Sequence, residues 1–158
     1  MFLRVAKPVR LDEIVDQLEM QFDEMSSYLD RDTGEVYVMP HDVLREVEAG
    51  DEPEHTAAWQ EEQWESAKRI VESNSFVRLP TKWDVHEWEI LREFAESVDR
   101  ASIRYELLDA IHGSGAFRMF KTVVGRHRME SAWYAFRKQA LRQIAIDWCE
   151  KHGIPWSA

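Results

Sequence analysis

The sequence predicts an α+β fold that is predominantly α-helical, with a small N-terminal β-hairpin or antiparallel sheet. After residue 55, apolar residues recur at steps of three and four, which is the pattern of amphipathic helices. Before it, two short strand-like runs flank Arg31-Asp32-Thr33-Gly34, which has the turn chemistry of a hairpin. The length of 158 residues suits one domain with its own core. We therefore predict a single domain, 1–158, made of a helix and hairpin (1–50), an acidic loop (51–55) and a helical part (56–158).

The N-terminal part begins with an amphipathic helix, because apolar residues line one side of it from Leu11 to Met25. Tyr28-Leu29-Asp30 and Glu35 to Met39 are the predicted hairpin strands, and Gly34 suits a positive φ in their turn. A two-stranded hairpin is marginal alone, so we expect a further strand. The candidates for that strand are Leu3-Arg4-Val5 and Phe76-Val77-Arg78-Leu79. Pro40 ends the hairpin.

Six helices are predicted after the hairpin. The first is short, runs from Asp42 to Ala49 and is closed by Gly50. The others follow from apolar stripes, which are Trp59-Trp64-Ala67-Val71, Trp88-Leu91-Phe94-Ala95-Val98, Ile103-Leu107-Ala110-Ile111, Phe117-Phe120-Val124 and Trp133-Phe136-Ala140-Ile144-Trp148. Asp84 and Asp99 are candidate N-caps, while Gly113, Gly125 and Gly153 are candidate helix ends.

Composition excludes several classes of protein. No apolar run reaches the ~18–20 residues that a membrane span needs, and the N-terminus lacks the apolar region of a secretory signal. A single cysteine, Cys149, rules out an internal disulfide and fits a reducing compartment. We therefore expect a cytoplasmic protein with no membrane partner.

Charge is unevenly distributed along the chain. The net charge is −10, yet residues 113–158 carry eight basic and three acidic side chains, a net of +5. The first 112 residues then carry 12 basic and 27 acidic side chains, a net of −15. This asymmetry has two interpretations: the two parts attract one another within the chain, or the basic part meets an anionic ligand or partner.

No conventional catalytic or metal-binding motif is present. The run from Asp30 to Glu35 fails the EF-hand spacing, and a hairpin turn explains it. The six histidines are scattered, without an H-E-x-x-H pair, and Cys149 is interpreted as a structural thiol. We expect no metal, no cofactor and no catalytic residue. An enzyme using acids such as Asp30 and Glu87 in one cleft is the weakest alternative, and carboxyl groups of strongly raised pKa in one pocket would favour it.

The stretch from Gly113 to Lys121 is the most informative part of the sequence. Gly113-Ser114-Gly115 separates two predicted helices, and the free N–H groups and dipole at the second helix's start suit an anion. The candidate ligand-binding residues are Gly113, Gly115, Arg118, Lys121, Arg126 and Arg128. The structural alternative makes Gly113 a helix C-cap and Gly115 a point of close helix packing.

Taken together, these residues resemble an uncharacterised bacterial protein family with the approximate signature G-[KR]-G-A-F-R-x-F-K. The resemblance covers most of the chain and includes Leu79-Pro80, Gly113 to Lys121 and Trp133-Tyr134-x-Phe136. Ser114 stands where a basic residue is common in the family. The resemblance implies a bacterial cytoplasmic protein and no established activity.

Besides the enzymatic alternative, two functions are left open. The first is a non-enzymatic protein-interaction or regulatory domain that works through a protein partner, favoured by the lack of a catalytic motif. The second is a binder of a phosphate-bearing ligand or nucleic acid through the loop and helix start at Gly113 to Lys121. Salt separates the two, because phosphate binding weakens steeply as salt rises and an interface with an apolar centre does not.

Overall fold

The computed structural model describes residues 7–20, 22–51 and 57–158. It confirms a predominantly helical α+β fold with a small antiparallel sheet. The chain divides into two compact units: unit 1 holds the described residues up to Thr81 together with Ala145–Ala158, and unit 2 is Lys82–Ile144. The single-domain organisation of 1–158 stays a prediction.

Unit 1 contains the five strands found in the described residues and three complete helices. Its elements are β1 (Val9–Arg10), α1 (Leu11–Glu19), β2 (Met25–Asp30), β3 (Val36–Pro40), α2 (His41–Glu48), α3 (Ala58–Glu72), β4 (Phe76–Arg78) and β5 (Trp156–Ser157). β1 pairs with β5 in parallel, and the three-stranded antiparallel sheet has the order β3-β2-β4. The hairpin is therefore confirmed, with the candidate strand at 76–79 as its third member. The other candidate, Leu3-Arg4-Val5, lies outside the described residues, as does most of the acidic loop.

The first helix is shorter than its apolar stripe predicted. α1 ends at Glu19, Phe22 is exposed, and Met25 belongs to β2. The physical reason is the ladder of the sheet, in which Met25 pairs with Pro40. The Met25 N–H closes a turn onto the Phe22 carbonyl and the Glu24 carbonyl accepts the His41 N–H, so these backbone groups are satisfied without another helical turn.

The hairpin turn depends on one glycine. Gly34 has φ +74°, and a Cβ built there would lie 2.6 Å from the backbone oxygen of Lys7. Only glycine combines that left-handed backbone with so close an approach of another chain segment. The turn therefore also packs against the backbone of Lys7, shortly before β1.

One core cluster of unit 1 forms where α2 and α3 meet the sheet. Met39, Leu44, Ala67 and Ile70 are buried together, with partly buried aromatic and apolar side chains around them. The predicted stripe of α3 was wrong at Trp59, which is 64% exposed. Five residues separate Trp59 from the buried Trp64, and this spacing turns a helix by about 140°. Val71 lies in the last turn of α3 and is also exposed.

Unit 2 is helical. It contains α4 (Glu87–Ser97), α5 (Ala101–Ala110), α6 (Ala116–Arg126) and the first part of α7 (Glu130–Lys151), whose last turns belong to unit 1. Aromatic rings fill its core, because Phe94 makes edge contacts with Phe120, Trp133 and Phe136 at centroid distances of 5.9, 5.4 and 5.4 Å. Edge-to-face pairs of this kind add to the burial of the rings.

Helix ends in unit 2 differ from the predicted caps. α4 and α5 start after His86 and Arg100 rather than after Asp84 and Asp99. Arg104 Nη1 donates hydrogen bonds to the carbonyl oxygens of Val98 and Asp99, and thereby holds the turn before α5. These contacts span six and five residues, and a capping pattern does not include them.

The buried sides of α6 and α7 also differ in part from their predicted stripes. In α6, Phe120, Val123 and Val124 are buried, whereas Phe117 is 49% exposed because it lies in the first turn at the edge of that stripe. α6 continues through Gly125, which does not stop it, to Arg126. In α7 the most deeply buried residues include Leu141, Ala145 and Cys149, on a wider face than the one predicted.

Candidate binding surface

The loop before α6 is shaped by glycine backbone conformations. Gly113 and Gly115 have φ +102° and φ +75°, and a Cβ at either position would meet no atom within 4 Å. Close helix packing therefore does not explain Gly115. Gly113 is not the C-cap of α5 either, because that position is occupied by Ile111. Both glycines serve to turn the chain into the start of α6.

Replacing Gly115 with alanine is expected to destabilise the protein by about 1–2 kcal/mol, the typical strain of an L-residue in the left-handed region. The open space around Gly115 leaves backbone strain as the main cost. Gly125→Ala is the control, since Gly125 lies inside α6 without a positive φ. Urea denaturation of both variants checks the prediction, and an unchanged midpoint for Gly115→Ala would contradict it.

The N-terminus of α6 is open to an anion. Gly115 is its N-cap and offers no side chain to the first-turn N–H groups, and the carbonyl of Gly115 accepts the hydrogen bond of Met119 N–H. The first turn contains no acidic residue and carries Arg118. The positive end of the helix dipole and a guanidinium thus lie in the same turn.

We use the term α6 surface for four exposed side chains, Phe117, Arg118, Met119 and Lys121. Phe117 is half-exposed and Met119 is 46% exposed. Across residues 7–20, 22–51 and 57–158, no carboxylate forms an ion pair with Arg118 or Lys121. The α6 surface therefore combines unneutralised positive charge with accessible apolar groups.

The charge of this region is not cancelled by its sequence neighbours. Residues 110–129 contain no Asp or Glu in a chain that has 30 of them, and α6 itself has none. Asp109 and Glu130 flank the segment. The segment therefore carries four basic side chains and no acidic one, in a chain whose net charge is −10.

Arg126 and Arg128 are placed at the other end of α6. Eight residues separate Arg118 from Arg126, about 12 Å along the helix axis. Arg126 forms an ion pair with Glu106, and His127 Nε2 lies 2.7 Å from a Glu106 carboxylate oxygen. Arg128 is exposed in the following turn with φ +54°. The structure thus brings Gly113, Gly115, Arg118 and Lys121 together and separates them from Arg126 and Arg128. A binding role for all six stays a prediction.

The contacts of Glu106 make the stability at this end of α6 depend on acidic pH. The hydrogen bond with His127 and the charges of Arg126 and His127 hold the pKa of Glu106 below its usual value of 4.5. A group whose pKa is lowered by folding stabilises the protein above its unfolded pKa, and this stabilisation is lost as pH falls through the folded value.

We therefore expect acidification below about pH 4.5 to lower the thermal midpoint of Glu106→Gln by less than it lowers that of the wild type. The amide that replaces the carboxylate is uncharged and does not titrate, so this variant lacks the contribution of Glu106 at every pH. Glu96→Gln is the control, because Glu96 lies in an exposed pair with Arg92 on α4. Parallel acid dependence of the wild type and Glu106→Gln would contradict the prediction.

Other polar contacts were not found from the sequence. Ser26 Oγ lies 2.6 Å from His41 Nε2 and accepts a hydrogen bond from Arg78 at 3.3 Å. Ser26 is buried, and the contact joins β2, β4 and the start of α2. In unit 2, Arg137 donates two hydrogen bonds to Glu87. These partners are 15 to 52 residues apart, so spacing gave no signal for them.

The two acids of the enzymatic alternative belong to different units. Asp30 is buried, and its carboxylate accepts a hydrogen bond from the backbone N–H of Asp32 in the hairpin turn. Glu87 pairs with Arg137 at the start of α4. Both carboxylates therefore have structural partners. Within the described residues, no group of three or more His, Cys, Asp or Glu side chains is arranged to hold a metal ion.

A cavity of about 420 Å³ lies in unit 1 between α1 and the hairpin. We use the term α1–β3 cavity for the space lined by Glu13, Asp16, Gln17, Met20, Gly34, Glu35, Val36 and Tyr37. The Tyr37 hydroxyl donates to Glu35 at 2.8 Å, and burial together with that carboxylate raises the pKa of Tyr37. The only sequence signal for this cavity was the i,i+3 spacing of Glu13 and Asp16. These two residues come close to Glu35 only in the folded chain.

The fold and surface define a predominantly helical α+β protein with a basic, partly apolar helix face. More particularly, the chain belongs to the family described as Uncharacterised protein family (UPF0158), whose sequence model matches residues 6–158. No curated protein and no solved structure matches the chain. Membership of an uncharacterised family is confirmed, while the glycine-rich signature, bacterial origin and cytoplasmic location stay predictions.

No helix in the part of the chain that the structure describes is both long and apolar enough to cross a membrane.

Proposed function

We propose that this protein is a non-enzymatic protein-interaction domain that contacts an acidic protein partner through the α6 surface. The observation that carries the proposal is the exposure of Arg118 and Lys121, without ion-pair partners among the described residues, in a segment that lacks carboxylates. Such a surface attracts carboxylates of a partner and disfavours basic ones.

Two half-exposed apolar side chains favour a protein as the partner. Phe117 and Met119 lie beside Arg118, and their burial against a partner gains about 25 cal/mol per Å² of apolar surface. Aromatic residues, Met and Arg are enriched at the centres of protein interfaces, whereas Lys is more common at the rim. The composition of the α6 surface therefore suits an apolar contact flanked by charge.

The test is capture of binding proteins from a lysate of the source cell by the tagged full chain. Arg118→Glu with Lys121→Glu reverses the charge of the α6 surface. Arg100→Glu with Lys138→Glu is the matched control, since both residues are exposed in unit 2 and the net charge changes equally. We expect proteins that the wild type and the control retain and that the α6 variant loses. Equal retention by all three chains would contradict the proposal.

A second candidate function is the binding of a phosphate-bearing ligand or nucleic acid by Gly113, Gly115, Arg118 and Lys121. The uncapped N-terminus of α6 favours it, because its first-turn N–H groups have no side-chain acceptor. A single phosphate at this end does not reach Arg126 or Arg128, so only an extended nucleic acid would use all six residues.

A titration with inorganic pyrophosphate, followed by amide NMR shifts, distinguishes the two candidate functions. Phosphate binding predicts shifts at Ala116 to Arg118 that vanish as salt rises and are absent in Arg118→Glu with Lys121→Glu. Nuclease treatment of the lysate supplies the complementary arm. Retention that survives nuclease supports a protein partner, and retention that is lost supports nucleic acid.

A further inference from the structure

We infer that a second copy of this chain is a partner of the α6 surface, and that its α1–β3 cavity receives Phe117, Arg118 and Lys121. The inference rests on the proposed function, because it names the partner for the same surface. Its grounds are complementary charge, complementary apolar groups and the distribution of charge between the two units.

The charges of the two surfaces are opposite and available. Glu13, Asp16 and Glu35 line the cavity, and no basic side chain of the described residues forms an ion pair with them. Arg118 and Lys121 are exposed and equally unpaired within the same residues. Three carboxylates on one copy therefore face two cations on the other, and neither set has an ion-pair partner in the described part of the chain.

The apolar groups match as well. The cavity is lined by Met20, Val36 and Tyr37 in addition to its carboxylates. Its volume of about 420 Å³ is enough to admit an aromatic side chain. Phe117, half-exposed beside Arg118, is the side chain of the α6 surface that suits this lining. A contact of this kind puts an apolar group at its centre and charge around it.

The charge of the units favours contact between unlike surfaces. Unit 1 has 9 basic and 21 acidic residues, a net of −12, whereas unit 2 has 11 basic and 9 acidic residues, a net of +2. Two copies of unit 1 repel each other, while unit 1 of one copy attracts unit 2 of another. The expected contact therefore joins an α6 surface to an α1–β3 cavity, and it can be made reciprocally in a two-fold dimer or head to tail in a larger assembly.

Sedimentation velocity of the full chain across a range of protein concentrations, at low and at high salt, tests the inference. We expect association that increases with concentration and weakens at high salt. Arg118→Glu with Lys121→Glu, and separately Asp16→Lys with Glu35→Lys, should weaken it by about tenfold or more. The control pair Arg100→Glu with Lys138→Glu should associate as the wild type does.

A mixture of the two defective variants is the decisive measurement. The α6 variant retains a native cavity and the cavity variant retains a native α6 surface, so mixing them should restore association. Circular dichroism checks that both are folded, and the milder pairs Arg118→Ala with Lys121→Ala and Asp16→Asn with Glu35→Gln replace any variant that is not. A mixture that remains monomeric, or a wild type that is monomeric under all conditions, overturns the inference.

The lysate-capture experiment distinguishes failure of this inference from failure of the proposed function. If the wild type is monomeric but captures other proteins in a manner that depends on Arg118 and Lys121, the inference fails and the proposed function stands. If neither self-association nor capture depends on these residues, both fail.

Discussion

Replacing Phe120 with alanine is expected to lower the free energy of unfolding by about 3–5 kcal/mol, as large-to-small changes in a core do. Phe120 is fully buried, and its ring lies 4.9 Å from that of Trp133 and 5.9 Å from that of Phe94. The substitution removes both edge contacts and leaves a cavity between α4, α6 and α7. Urea denaturation followed by circular dichroism measures the loss.

Phe117→Ala is the matched control on the same helix. Phe117 is half-exposed, so its removal should cost less than about 1 kcal/mol. The sequence alone predicts similar losses for the two phenylalanines, because both belong to the predicted apolar stripe. Equal destabilisation by the two substitutions would show that α6 presents a different side to the core.

Helical periodicity predicted which segments form helices, because it depends on residues close together in the chain. The stripe of α4 at Leu91, Phe94 and Ala95 is buried as expected. Periodicity does not determine where a stripe ends. Phe117 and Trp59 lie in the first turns of α6 and α3, where the neighbouring elements that would cover them are set by tertiary structure.

The hairpin was predictable for a related reason. Its turn chemistry and its two strands are local, and Gly34 has the predicted positive φ. The close approach of Lys7 to that glycine was not predictable, because the two residues are distant in sequence. The same limit explains why α1 was predicted too long, since Met25 is held in β2 by its pairing with Pro40.

The candidate site was predictable in position and only partly in composition. The Gly113-Ser114-Gly115 loop and the exposed Arg118 and Lys121 follow from local sequence. The pairing of Arg126 with Glu106 does not, because it joins α6 to a helix 20 residues earlier. The α1–β3 cavity is the extreme case, since the carboxylates of α1 and the hairpin become neighbours only after folding.

Cys149 provides the second large prediction, which concerns chemical reactivity. Its side chain is fully buried in α7, and burial, with a smaller contribution from Glu150, raises the pKa of the thiol to about 11. At pH 8 the thiolate fraction is then about a hundredfold lower than for a thiol at the ordinary value of 9.0. Burial also keeps a reagent away from the sulfur.

We therefore expect Cys149 in the folded protein to react with a chromogenic disulfide reagent at least about a hundredfold more slowly than in the unfolded chain. Ser131→Cys in a Cys149→Ala background is the control, because Ser131 is exposed on the same helix. Absorbance of the released thiolate measures both rates. Native Cys149 reacting as fast as the control would contradict a structural role.

The same thiol should make stability depend on alkaline pH. Its folded pKa of about 11 lies above the unfolded value of 9.0, so its contribution is present below pH 9 and is lost as pH rises towards 11. A difference of two pKa units lowers the free energy of unfolding by about 2–3 kcal/mol once the thiol ionises, because folding opposes ionisation of the buried sulfur. Cys149→Ala lacks this titration and isolates it from the tyrosines and lysines that ionise in the same range. Urea denaturation between pH 8 and pH 11 should therefore show that the free energy of unfolding falls more steeply for the wild type than for Cys149→Ala. Equal slopes would show that the thiol is not held in an apolar site.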